Sequence, residues 1–127
     1  DYATIISHIA AEVQPLFGQG TVASYIPELG KVNPRQFGIC LQMNTGGIYE
    51  YGDSRKKFSI QSISKAFTLG MAFGLLGESL WRRVHVEPSG SAFNSLVQLE
   101  FEHGIPRNPL INAGALVITD ILVSHFE

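Results

Sequence analysis

With 127 residues, 45% of them hydrophobic and 16% charged, the chain has a globular rather than disordered composition and the length of one domain or part of one. A formal net charge of −2 gives no electrostatic ground for nucleic acid or an anionic membrane as partner, and the longest apolar runs, such as ALVITDILV, are too short and too polar to span a bilayer. The single cysteine, Cys40, excludes an internal disulfide; with no visible signal-peptide pattern, a cytoplasmic setting is expected.

The chain starts at Asp1 rather than Met and stops at Glu127 inside a helical pattern, so both ends read as cut. Residues 2–17 predict an amphipathic helix, with Ile5, Ile6, Ile9, Ala10 and Val13 at helical spacing and Gly18 and Gly20 as its stop. TVASYIPELGKVNPR, with Pro27 and Pro34, reads as a turn-rich connection. QFGICLQM and GIYEYG flank Asn44-Thr45-Gly46-Gly47, a hairpin signal, and residues 57–60 can add a third strand. From Ser62 the period becomes helical up to about Gly77, and that helix is apolar over so much of its surface that burial is expected.

Residues 79–92 are irregular, 93–103 read as helix, and GIPRNPLIN is a proline-stiffened loop. A last helix runs from about Ala113 to the end. There is no internal repeat and no linker, so residues 1–127 read as part of one domain. Helix, hairpin, extra strand and then several helices do not alternate as a parallel sheet requires. The expected class is α+β, with an antiparallel sheet packed against helices.

The chemistry gathers in FSIQSISKAF. On a helix, Ser62 and Lys65 at i and i+3 face the same way, with Cβ atoms about 5–6 Å apart. At a helix start such a pair can combine a hydroxyl nucleophile, an amine to take its proton, and an unpaired N–H for an oxyanion. Burial among Phe58, Phe67 and Leu69 would favour the neutral amine that a base needs. Spacing alone is weak: eleven serines and four lysines in 127 residues make about a third of one such match expected by chance. A second match, Ser54 to Lys57, lies in a polar turn running into an extended segment. The competing reading of Lys65 is a side chain whose stem packs and whose head reaches water.

Other candidates are Tyr25, a pocket phenol or a loop anchor, and Asn112, which reads more simply as the N-cap of the last helix. Glu87 and Arg107 could pair. His8, His85, His103 and His125 have no metal-ligand spacing with one another or with Cys40, so no metal site is expected.

Taken together, QSISKAF, VEPSGSAFNSLVQLE and GIPRNPLINAGALV resemble the serine-dependent glutaminases, whose fold is similar to that of the serine β-lactamases and penicillin-binding proteins. The likeness extends from SYIPELGKVNP to the last helix. It implies Ser62 as nucleophile and Lys65 as base or proton shuttle, with Ser62, Gln61, Asn112 and Tyr25 contacting bound L-glutamine. It also implies hydrolysis to L-glutamate and ammonia through an acyl-enzyme, without metal or organic cofactor, in a homo-oligomer (dimer or tetramer). Glu87-Pro88-Ser89-Gly90 and Phe93-Asn94 match the family and read as structural; His85 stands where some members carry glycine.

The family's catalytic domain is more than twice this length, and its remaining substrate ligands and later strands follow the point where this sequence stops. The chain therefore reads as the N-terminal portion of such a domain, with its sheet incomplete. Two alternatives remain open: a non-catalytic assembly piece, and a β-lactam-recognising serine hydrolase, for which neither S-D-N nor K-T-G occurs here.

Overall fold

The structure, a computed structural model, describes residues 1–126. The chain divides into two compact units, Asp1–Ser59 and Ile60–Glu127.

In the N-terminal unit, α1 (Tyr2–Val13) starts at Asp1, whose carboxylate accepts from the Ala3 N–H at 3.2 Å and from the Thr4 hydroxyl at 3.1 Å. Ile6 and Ala10 form its buried stripe, and the helix lies along the hairpin with Tyr2 against Tyr49 at 5.4 Å between ring centroids. The α-helix stops short of the expected residue 17. Pro15 has no N–H to donate back along the helix, and the chain tightens into a 3₁₀ turn over Gln14–Leu16.

Strands β1 (Gly38–Gln42) and β2 (Ile48–Gly52) pair antiparallel, Cys40 opposite Glu50, through the predicted turn, where Gly46 takes φ 94. The expected third strand over 57–60 does not form. At the open end of the hairpin the Asp53 N–H donates to the Phe37 carbonyl (2.8 Å) and the Phe37 N–H donates to the Asp53 carboxylate (3.1 Å). A turn closed by Lys56 N–H to Asp53 carbonyl then leads the chain off the ladder.

In the C-terminal unit a 3₁₀ turn, Gln61–Ile63, leads into α2 (Ser64–Leu76), which ends at Gly77 with φ 52. A further 3₁₀ helix (Gly77–Arg82), the short α3 (Val97–Phe101) and α4 (Asn112–Phe126) follow. The core is Ala72, Leu80, Val84, Ile118 and Ile121, with α2 packed on α4.

Two expectations change here. α2 is not a buried helix: Ala72 is its one buried residue, and Phe67 and Met71 are 64% and 53% exposed. Only the stripe facing α4 and the following 3₁₀ helix is covered. The helix expected over 93–103 shrinks to Val97–Phe101, because the Phe93 carbonyl, which would accept the Val97 N–H in a helix, instead accepts the Asn112 N–H at 2.9 Å. At the other end His103 takes φ 52 and Gly104 φ 82, which stops the turn.

The α+β class with an antiparallel sheet is observed. Among the described residues no helix is long and apolar enough to cross a membrane.

Candidate active site

Ser62 lies inside the 3₁₀ turn and Lys65 in the first turn of α2. In 3₁₀ geometry side chains three apart eclipse, so the junction keeps the two residues on one face. Ser62 is exposed, and its hydroxyl takes no hydrogen-bond partner among the described residues. Gln61, immediately before it, has φ 42, a left-handed conformation that costs an L residue about 1–2 kcal/mol. Such strain persists only where the surroundings over-determine it, and it concentrates at functional sites.

The Lys65 amine is held by polar groups rather than by the apolar shell expected for it. Nζ donates to the Leu110 carbonyl at 2.9 Å and to Asn112 Oδ1 at 2.7 Å, and it stands 5.5 Å from the centroid of the Phe93 ring. Phe67 cannot cover it, since two residues along a helix is about 200° around the axis. Leu69 packs towards the core, and Phe58, 73% exposed, belongs to the N-terminal unit.

Asn112 is the first residue of α4, and its side-chain oxygen serves Lys65 rather than capping the helix. The loop that carries Leu110 is pinned along its length. The Asn108 side chain accepts from the Leu110 N–H (2.8 Å) and donates to the Glu87 carbonyl (2.9 Å), while Pro106 and Pro109 are buried. Gly114 allows the close approach: a Cβ there would overlap the Asn108 carbonyl oxygen and lie 2.7 Å from Pro109 Cα.

Upstream, the main chain pairs His85 N–H to Pro106 carbonyl and Glu87 N–H to Arg107 carbonyl, both at 2.7 Å. The expected Glu87–Arg107 side-chain pair is not formed among the described residues: the Arg107 guanidinium bonds the Glu102 carboxylate and reaches the Pro88 carbonyl instead. Burial pushes the Glu102 carboxyl upward, but hydrogen bonds from Arg107 and Gln98 outweigh it and hold that group below the usual carboxylate range.

Of the predicted site residues, Lys65 and Asn112 are in direct contact, and Gln61 and Ser62 are adjacent in the turn before them. Tyr25 belongs to the N-terminal unit and is 75% exposed. An open depression of about 380 Å³ lies beside Asn112, lined by Ala115, Leu116 and Thr119. A larger one, about 460 Å³ along Glu50–Lys56, belongs to the hairpin and holds none of the candidates. Sequence reasoning missed the Leu110 carbonyl and the Phe93 ring; a backbone acceptor leaves no residue-type signal. Gly114 was visible as the glycine of N-A-G, but its clearance was not.

The glutaminase family profile matches residues 20–127, which include every one of these residues. The chain belongs to the glutaminase family. A glutaminase of Rhizobium etli is 56% identical over 124 residues, covering 98% of this chain and 40% of that protein. One of Ralstonia nicotianae is 56% identical over 126 residues, covering 99% of the chain and 41% of that protein. Among solved structures, a probable glutaminase, ybaS, superimposes with a TM-score of 0.87 at 32% identity over 94% of this chain and 38% of its own. The structure of Mglu in its tris and glutamate form gives a TM-score of 0.82 at 39% identity, over 94% of this chain and 26% of its own. The chain thus spans about 40% of the length of the curated glutaminases it matches.

Proposed function

We propose that the whole protein hydrolyses L-glutamine to L-glutamate and ammonia through an acyl-enzyme on Ser62, and that this chain is the N-terminal part of its single catalytic domain. The observation that carries the reading is an unengaged Ser62 hydroxyl three residues before a lysine whose amine is fixed by Leu110 and Asn112, inside a segment of glutaminase sequence.

Ser62 Oγ attacks the side-chain amide carbon of glutamine while Lys65 Nζ takes the hydroxyl proton. The carbonyl π pair moves onto oxygen as the Oγ–C bond forms. On collapse the C–N bond breaks, and Lys65 returns the proton to the departing nitrogen, which leaves as ammonia. Water then attacks the ester, again losing a proton to Lys65. The Oγ–C bond breaks and Ser62 recovers the proton. Serine, lysine, substrate and water supply every proton and electron pair in these steps.

Gln61, Asn112 and Tyr25 contact the glutamine alongside Ser62. The tris and glutamate form of the related Mglu supports a glutamate-shaped ligand on this fold. The protein works in the cytoplasm as a homo-oligomer, a dimer or tetramer, without nucleic acid or membrane as partner.

Steady-state ammonia release by the whole protein tests the reading. Ser62→Ala lowers kcat by at least about a thousandfold, as removal of a serine nucleophile does elsewhere. Undiminished release by that variant overturns it.

A further inference from the structure

We propose that Asn112 is a positioning residue which, with the Leu110 carbonyl, fixes the direction in which the Lys65 amine exchanges its proton. The proposal rests on the glutaminase reading for its kinetic consequences, but the contact itself does not depend on that reading.

A neutral lysine amine has two N–H donors and one lone pair in tetrahedral arrangement, and lysine nitrogen donates only through its hydrogens. Two acceptors already meet Nζ, the Leu110 carbonyl at 2.9 Å and Asn112 Oδ1 at 2.7 Å. They consume both donors of the neutral amine, so its lone pair occupies the one direction left. In the protonated form the third N–H points along that same direction. That one remaining direction is where the amine takes up and gives back its proton in the proposed shuttle between Ser62, the leaving nitrogen and water.

Among the described residues, the groups that reach the amine are all neutral: a backbone carbonyl from the 108–111 loop, an amide from α4 and the Phe93 ring. None of them competes with Ser62 for the proton.

The same contact sets the polarity of Asn112 towards a ligand. With both hydrogens of the neutral amine spent on oxygen acceptors and its lone pair turned away, Oδ1 is the atom of Asn112 that faces Nζ. Asn112 then has only its Nδ2 donors to offer. The substrate atom it meets is an acceptor, a carboxylate or carbonyl oxygen, and never the amide or ammonium nitrogen of glutamine.

Two substitutions in the whole protein separate these roles. Asn112→Ala removes both functions: kcat at saturating L-glutamine falls by about tenfold to a hundredfold, the scale of a misplaced catalytic group, and KM rises. Asn112→Asp keeps an acceptor on Nζ but loses the donor to the substrate. It recovers most of kcat at high pH, and the acid limb of its kcat profile moves to higher pH because the new carboxylate favours the protonated amine. KM stays raised.

An independent readout is the rate at which a small amine-reactive reagent labels Lys65, referenced to Lys56 and Lys57 in the same molecule. Asn112→Ala speeds Lys65 labelling severalfold and leaves the reference lysines unchanged.

If both variants raise KM while kcat and its pH profile stay as in the wild type, the positioning role is overturned and Asn112 is a substrate contact alone. An unchanged Lys65 labelling rate overturns it equally. If the wild type releases no ammonia, the glutaminase reading fails instead, and labelling alone decides the positioning role.

Discussion

At the scale of single residues, the site joins one strained residue to one well-satisfied one. Gln61 at φ 42 sets the turn in which Ser62 sits, while Lys65 has its amine filled by two oxygens. Glycine adopts φ 42 without the Cβ penalty, so Gln61→Gly relaxes the strain by about 1 kcal/mol. The variant should show a higher thermal midpoint in the whole protein, together with a raised KM if Gln61 contacts the substrate as proposed; a lower midpoint would show that the turn needs that side chain more than it resents the conformation.

The i, i+3 spacing made the Ser62–Lys65 pair legible in the sequence, and the three ordered motifs made the family legible. The partners of Lys65 were not. Residue types near it in the chain suggested an apolar shell, whereas the groups that bind it come from more than 40 residues away, and one is a main-chain oxygen.

At the scale of elements, the short loop 105–111 positions the site more than any helix does. It is stiffened by two buried prolines, paired to residues 85–87 through main-chain bonds and seated on Gly114 with no room for a Cβ. Gly114→Ala must push the Asn108 carbonyl away, and the shift carries Leu110 and Asn112 with it. We expect a loss of about 1–3 kcal/mol in chemical denaturation of the whole protein, the usual range for overpacking, with kcat lowered as well. Wild-type values of both would mean that the loop yields without moving the amine.

The hairpin and the last helix were predictable because their signals are local: a turn of Asn and Gly between strand-like runs, and an apolar period after a loop. The helix over 93–103 was over-read because a long-range hydrogen bond took the Phe93 carbonyl, and no local pattern reports that. The strand over 57–60 was over-read because a side chain, Asp53, closed the ladder first.

At the scale of the whole molecule, the surface is the informative quantity. Apolar side chains account for much of it, with Phe101 75%, Leu116 67% and Phe67 64% exposed. An all-round apolar helix such as α2 is normally a buried one, so its bare faces suit a larger assembly in which they are covered. The isolated 127 residues should bind an apolar-surface dye strongly and the whole protein weakly. Equal binding by the two would place these faces in solvent in both.

Acylation of Ser62 is tested by the mass of the whole protein quenched in acid during turnover of L-glutamine. The expected result is a glutamyl adduct that peptide mapping places on Ser62, absent from Ser62→Ala. Ammonia release with no adduct in rapid-quench experiments where acyl transfer outpaces hydrolysis, or an adduct on another residue, would contradict it.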